Sequence, residues 1–99
     1  MWYAIFGHDN TDSLRQRNAS RGAHLARLRQ LGDEGRLLLA GPFPAIDSVD
    51  PGPAGYSGSL IVAEFTDLAA AKDWAALDPY LTSGVYREVD VRPFRKVLP

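Results

Sequence analysis

The sequence contains no cysteine, so every kind of site that depends on a thiolate is excluded. Disulfide scaffolds, cysteine nucleophiles and cysteine-ligated zinc or iron–sulfur centres all belong to that group. Histidine is almost as scarce, because only His8 and His24 are present. No HExxH motif, His-x-His motif or pair of carboxylates at ligand spacing occurs, so we expect no metal site. Any histidine-dependent proton transfer must use one of these two side chains.

An excess of positive charge is also missing. The chain has 11 Lys and Arg against 12 Asp and Glu, which gives a formal net charge of -1. Proteins that bind phosphate backbones need a basic surface, so we do not expect nucleic acid as a partner. No apolar run is long enough to span a bilayer, and the first residues lack the basic start of a signal peptide. We therefore expect a cytoplasmic protein without a membrane partner.

Two common catalytic or binding signatures are absent as well. Residues 52–55 read Gly-Pro-Ala-Gly, which places proline where a phosphate-binding loop needs a free backbone N–H. No Gly-x-Ser-x-Gly elbow supports a serine nucleophile. With metal and nucleotide sites both disfavoured, we expect no cofactor. The remaining alternatives are proton-transfer chemistry and no chemistry at all.

The 99 residues, 45% of them hydrophobic, predict a single domain that spans residues 1–99. Short apolar or alternating runs predict four strands, at residues 2–6, 36–41, 59–65 and 86–91. In the last run, strict alternation places Tyr86 with Glu88 and Asp90 on one face, and Arg87 with Val89 and Val91 on the other.

Two helical regions separate these strands. The first follows the polar residues 9–13 and ends at Gly35, and Ser20 is a good N-cap that leaves a division into two helices open. Within it, Leu25, Leu28 and Leu31 form one stripe that faces the sheet. The second covers residues 68–77, with Asp67 as its cap and Asp78-Pro79 as its end.

The resulting order β-α-β-β-α-β predicts an α+β, ferredoxin-like split βαβ fold, an antiparallel sheet with both helices on one face. The other face is left uncovered, with apolar area from Trp2 and from the neighbourhoods of Ile5 and Ile61, so we expect a homodimer. Residues 42–58 are rich in proline and glycine, so no regular element is expected there. A loop of this length is typical of a lid or a partner contact.

His24 is the more informative histidine. It falls in the stripe of Leu28 and Leu31, and Arg17 and Arg21 fall in the same sector of the helix. One interpretation is structural, with His24 at the edge of the core and the arginines reaching solvent. The other is a pocket between helix and sheet, in which His24 exchanges a proton while an arginine holds an anionic substrate.

A working imidazole needs a group that fixes its tautomer, most often a carboxylate. Asp33 points away from His24 on the helix, whereas Asp78 lies where Pro79 fixes the local chain. Asp78 is equally well explained as a polar helix terminus. His8 and Asp9 form a weaker candidate pair at the end of the first strand.

Several segments together resemble the YCII-related (YciI-like) family over nearly the whole chain. They are residues 23–28, 35–42, 47–52, 78–80 and 84–86. The resemblance implies a ferredoxin-like fold, dimers of the dimeric α+β barrel type and a cleft with a histidine–aspartate centre, which falls on His24 and Asp78. One branch of the family is a dehydrochlorinase that acts on a chlorinated hydroxyhydroquinone.

These observations lead to two hypotheses. The first is a cofactor-independent enzyme of the lyase or isomerase kind, or a dehydrochlorinase-like one, in which His24 moves a proton of a small oxygenated compound and Asp78 orients the imidazole. The second is a non-catalytic dimeric module that binds a small molecule or a protein. The residues predicted to contact substrate are Arg17, Ser20, Arg21, Pro42, Pro79 and Tyr80.

One geometric condition must be met. The two helices of a split βαβ fold run parallel, so an early residue of the first and the end of the second lie apart. His24 and Asp78 therefore meet only if the first helix begins well before Ser20, if the chain folds back after Pro79, or if a dimer joins them.

Overall fold

The computed structural model describes all 99 residues. Its elements are β1 (Trp2–Asp9), α1 (Leu14–Asp33), β2 (Leu37–Pro44), β3 (Tyr56–Glu64), α2 (Leu68–Ala76), α3 (Pro79–Thr82) and β4 (Tyr86–Phe94), with one 3-10 turn at Gly52–Ala54. The strands form a single antiparallel sheet in the order β2-β3-β1-β4. This arrangement confirms the predicted α+β ferredoxin-like fold.

The core lies between the helices and one face of the sheet, called here the inner face. Alternate residues of β1 are buried, and they include Tyr3 and Ile5. Ile5 pairs with Ile61 of β3, and both side chains point toward the helices. The apolar area expected on the open face from the neighbourhoods of Ile5 and Ile61 therefore comes from adjacent residues and not from the two isoleucines. α1 and α2 pack on these side chains through a shared set of buried residues, namely Leu28, Leu31, Ala71 and Ala75.

α1 is one continuous helix of 20 residues, so of the two alternatives that the sequence left open, the division at Ser20 does not occur. Ser20 is a mediocre helix residue, but helix stability in a protein comes mainly from packing, and α1 is anchored along its length by buried side chains. The C-terminus follows the prediction. Gly35 has φ 71°, its N–H donates to the Gly32 carbonyl, and the Arg36 N–H donates to the Leu31 carbonyl, which together form a Schellman motif.

The segment 42–58 is more regular than predicted. β2 continues through Pro42 to Pro44, and β3 already begins at Tyr56, so residues 42–44 pair with residues 56–59. The prolines are tolerated because β2 is an edge strand, where a missing N–H breaks no ladder. The connecting loop is therefore residues 45–55, and the Ala45 N–H donates to the Gly55 carbonyl to close it.

The start of β4 also departs from strict alternation. Tyr86 pairs with Asp9 and Glu88 pairs with His8, so one extra residue lies between them as a bulge. The bulge turns Tyr86 to the inner face with Val89 and away from Glu88, which corrects the predicted face. The Tyr86 ring then lies directly over Gly7, where an added Cβ would come within 2.5 Å of the ring. Gly7 thus continues β1, and does not end the strand as the sequence suggested.

The second helix was predicted accurately. α2 covers Leu68–Ala76, and the Asp67 carboxylate accepts from the Ala70 N–H as its cap. Membrane-spanning segments are absent among the helices, since none combines the required length with sufficient apolarity.

Candidate functional site

A cavity of about 720 Å³ lies between α1 and the inner face of β2 and β3. Five of the predicted site residues line it, namely Arg17, Arg21, His24, Pro42 and Tyr80. Ser20 and Pro79 are not part of the lining. Ser20 instead donates to the Ser83 hydroxyl, and Pro79 is the first residue of α3. The cavity is thus built mainly from α1 and the sheet, while α3 closes one end.

His24 and Asp78 meet within a single chain. The His24 Nδ1 lies 2.8 Å from the Asp78 Oδ1, and the two side chains are only 7% and 4% exposed. The contact forms because α1 begins at Leu14, well before Ser20, so His24 lies in the middle of the helix. From there its side chain reaches the junction between α2 and α3.

Asp78 is fixed by the local sequence. Pro79 occupies the first position of α3, where its missing N–H costs nothing, and the Asp78 side chain accepts from the Tyr80 N–H as the N-cap. Asp78 is therefore both a helix terminus and the partner of His24, so both interpretations of this residue describe part of its role.

The pairing determines what the imidazole presents to the cavity. An ionised carboxylate only accepts hydrogen bonds, so His24 donates its Nδ1–H to Asp78 and carries the lone pair on Nε2. Nε2 has no hydrogen-bond partner in the protein, and it is not among the buried unpartnered atoms. The Tyr80 ring stacks on the imidazole with centroids 3.8 Å apart and planes 9° apart. His24 is thus held in one orientation with a free basic nitrogen.

Arg17 occupies the polar end of the cavity, held by a partner that sequence reasoning missed. Its Nε donates to Asp9 Oδ2 at 2.6 Å and its Nη2 to Asp9 Oδ1 at 2.9 Å. Nη2 also lies 2.9 Å from the Gly58 carbonyl and from the Ser59 hydroxyl. Burial alone lowers the pKa of Arg17, but the hydrogen bonds and charge of Asp9 outweigh it and raise the pKa.

Asp9 was not expected to be the partner of Arg17, because the first strand was predicted to stop before it. Once β1 is extended to Asp9, alternation from Tyr3 and Ile5 places this carboxylate on the inner face. Ser13, the N-cap residue of α1, donates its hydroxyl to Asp9 at 2.6 Å and makes no capping hydrogen bond. A polar residue expected to cap the helix therefore supports the buried ion pair.

The last guanidinium nitrogen of Arg17 is available to a ligand. Nη1 makes no hydrogen bond to Asp9, Gly58 or Ser59, and the charge and hydrogen bonding of Arg17 also reach the Tyr80 hydroxyl. Buried unpartnered side-chain atoms are Arg27 Nη1 and the Tyr86 hydroxyl, so Arg17 Nη1 retains access to the cavity. The guanidinium carbon lies 4.9 Å from the Tyr80 centroid. Burial raises the pKa of the Tyr80 hydroxyl, and the charges of Arg17 and Arg21 oppose that shift.

Arg27 contacts α2 close to the junction between α2 and α3. Its Nη2 donates to the Trp74 carbonyl at 2.9 Å, and its guanidinium carbon lies 4.3 Å from the Trp74 ring centroid. Burial lowers the pKa of Arg27, and the charge of Asp78 acts in the opposite direction. Arg27 therefore ties α1 to the last turn of α2, next to the turn that carries Asp78.

The weaker candidate pair, His8 with Asp9, does not form. Neighbouring strand residues point to opposite faces, so Asp9 faces the helices while His8 faces outward. His8 Nε2 instead lies 2.9 Å from Asp90 Oδ2, on the open face of the sheet. No group of three or more His, Asp or Glu side chains is arranged to hold a metal ion.

The chain is similar to known proteins over almost its whole length. The pattern of the YCII-related domain matches residues 1–95. Protein YciI of Escherichia coli O6:H1 is 58% identical over 97 residues, which are 98% of this chain and 99% of that protein. An uncharacterized protein of Haemophilus influenzae is 56% identical over the same shares of the two chains.

One solved structure shares the fold. The 5-chloro-2-hydroxyhydroquinone dehydrochlorinase of Burkholderia phenoliruptrix, in complex with 2,5-dihydroxybenzoquinone, superposes with a TM-score of 0.83. The match covers 96% of this chain and 94% of that one, at 22% sequence identity. At that identity, the similarity shows the fold.

Proposed function

The chain belongs to the YCII-related (YciI-like) family, and from that premise we propose that its cavity carries out a cofactor-independent proton transfer on a small oxygenated compound. The observation that supports this most directly is the imidazole of His24, which is held by Asp78 through Nδ1 and keeps Nε2 free at the cavity wall. That arrangement is what a general base needs.

Each nearby group has a role in this proposal. His24 Nε2 accepts a proton from the substrate, and the Asp78 carboxylate stabilises the imidazolium that results. Arg17 Nη1 and Arg21 hold an anionic oxygen at the polar end of the cavity. Tyr80 provides a flat wall that keeps the imidazole in position.

A site with His24 as its single base can carry out two classes of reaction. Removal of a proton, followed by departure of a leaving group with its electron pair from a saturated carbon that is adjacent or conjugated, is an elimination, as in a lyase or dehydrochlorinase. In a chlorinated hydroquinone, that saturated carbon is the chlorine-bearing carbon of a keto tautomer. Return of the same proton to another atom of the substrate is an isomerisation. Similarity in fold to a dehydrochlorinase supports the elimination, so 5-chloro-2-hydroxyhydroquinone is the first compound to test.

Chloride release from that compound tests the proposal, with His24→Gln as the variant and His8→Gln as its matched control. We expect turnover by the wild type, a loss of about 10²- to 10⁴-fold in His24→Gln, and wild-type turnover in His8→Gln. Full activity of His24→Gln would remove His24 from the mechanism. Binding of the compound without any turnover by the wild type would favour the non-catalytic binding module.

We propose further that a second copy of the chain covers the open face of the sheet. That face carries Phe6, Phe43 and Leu60, with the rings of the two phenylalanines stacked 4.9 Å apart. Asp90 and Arg92 flank it on β4, and a two-fold axis that passes close to β4 would place Asp90 of each copy near Arg92 of the other. Light scattering is expected to give the mass of a dimer, and to give a monomer for Phe6→Glu. A wild-type monomer at the highest soluble concentration contradicts this proposal.

A further inference from the structure

We infer that the ligand of this cavity has two parts, an oxyanionic head beside His24 and an uncharged apolar tail that lies along α1. The inference rests on the proposed function, because it takes the His24 end as the place where the reacting group sits. It goes further in naming the chemical class of the ligand, a carboxylate or phenolate that carries an apolar chain.

The cavity is longer than a single ring. The lining residues of α1 extend from Arg17 to Asp33, which at 1.5 Å per residue is about 24 Å along the helix axis. On β2 the lining extends from Pro42 back to Leu37, which at 3.3 Å per residue is about 16 Å. A single ring bound at His24 occupies only one end of such a cavity.

The polarity of the cavity wall changes along its length. The end beside Tyr80 holds Arg17, Arg21 and His24. Beyond His24 the walls become apolar, with leucines of α1 facing the inner side of the sheet. These residues are Leu25, Leu28, Leu37, Ala40 and Ile61. A ligand segment beside them gains free energy in proportion to the apolar area it buries, and a charged segment loses its hydration there without compensation.

The charged side chains are distributed unequally between the two ends of the cavity. Asp9 compensates the charge of Arg17, but Arg17 Nη1 remains a fixed donor. Arg21 is exposed and has no ion-pair partner, so the head end favours an anion. At the other end, Arg29 and Asp33 carry opposite charges. The two ends therefore differ, and the head of an anionic amphiphile fits better at the end that contains His24, where no carboxylate other than the already paired Asp9 and Asp78 is near.

The test is a binding series of butanoate, hexanoate, octanoate and decanoate, followed by calorimetry and by the His24 ring signals in NMR spectra. We expect affinity to rise about two- to fourfold with each added methylene. Ala40→Phe places a ring in the apolar part of the cavity from an exposed position of β2. In this variant, decanoate is expected to bind no more tightly than butanoate. The matched control Ala26→Phe adds the same ring to an exposed position of α1 outside the cavity, and should keep the wild-type increase.

The head is tested separately. Arg21→Met is expected to weaken every member of the series about tenfold, without changing the increase per methylene. Equal affinity for all chain lengths, no binding of any of them, or an unchanged increase in Ala40→Phe would overturn the inference. Those results leave the proposed function standing, because it depends on turnover at His24. If affinity rises with chain length as expected but His24→Gln keeps full turnover, the inference stands and the proposed function is refuted.

Discussion

The molecule has one histidine–aspartate pair on each side of the sheet, between two helices on the inner side and between two strands on the open face. On the inner face His24 and Asp78 are 2.8 Å apart, and their side chains are 7% and 4% exposed. On the open face His8 and Asp90 are 2.9 Å apart, with exposures of 27% and 52%. The two contacts have almost the same length, so distance does not distinguish them.

The surroundings of the two histidine–aspartate pairs distinguish them. Asp78 also accepts the Tyr80 N–H, and the Tyr80 ring stacks on His24, so the inner pair is held from both sides. Water reaches the outer pair, which weakens its electrostatic attraction and leaves both side chains freer to move. The comparison teaches that a histidine–aspartate contact becomes a candidate for chemistry through desolvation, additional partners and an adjoining cavity. The following predictions test this contrast between the two faces.

The largest effect on stability is expected when the buried ion pair between Arg17 and Asp9 is broken. Arg17→Met keeps an apolar stem of similar length but leaves the Asp9 carboxylate buried without its cation. We expect a loss of about 3–5 kcal/mol in the free energy of unfolding, measured by urea denaturation at neutral pH. The matched control is Arg36→Met, whose partner Glu34 is 40% exposed, with an expected cost of about 1 kcal/mol or less. Similar losses in both variants would contradict the contrast.

An intermediate effect is expected when each pair loses its negative charge. Asp78→Asn keeps an oxygen for the Tyr80 N–H but removes the charge that strengthens the hydrogen bond from His24, so we expect a cost of about 1–2 kcal/mol in the free energy of unfolding. Asp90→Asn makes the same change on the open face, with an expected effect within about 0.5 kcal/mol. Urea denaturation of both variants in one buffer measures the difference. An equal cost would mean that burial adds nothing to the inner pair.

The smallest effect at neutral pH concerns Tyr86, whose hydroxyl is buried without a partner. Tyr86→Phe keeps the ring over Gly7 and removes only that hydroxyl, so we expect a gain of about 1 kcal/mol or less. Burial raises the pKa of Tyr86 above its ordinary value of 10.0. Below pH 10 both the folded and unfolded states hold this proton, so the titration of Tyr86 takes nothing from the free energy of unfolding in that range.

Above pH 10 the unfolded state releases the Tyr86 proton while the folded state retains it. Stability therefore falls as pH rises, by up to about 1.4 kcal/mol per pH unit for this group. Denaturation midpoints between pH 8 and 11 are expected to decline less in Tyr86→Phe than in the wild type. The control Tyr3→Phe changes another buried tyrosine of the inner face and keeps the contribution of Tyr86. An identical decline in wild type and Tyr86→Phe is the result that would refute this prediction.

The features predicted correctly depend on short stretches of chain. Gly35 ends α1, Asp67 caps α2, and the 3.6-residue period places His24 with Leu28 on the buried side of α1. The errors have a common origin in contacts between strands. Neither the extension of β2 through Pro44 nor the bulge that turns Tyr86 inward is visible in local alternation, because both are set by the partner strand.

The sequence by itself determined the order of the elements, the inward direction of His24 and the position of Asp78 at a helix terminus, because backbone preferences and periodicity act over a few residues. Only the tertiary structure decided which aspartate each histidine meets. His24 and Asp78 are 54 residues apart in the chain, and His8 and Asp90 are 82 apart. Strand register and the packing of α1 on the sheet fix those partners, since they set which side chains share one desolvated volume.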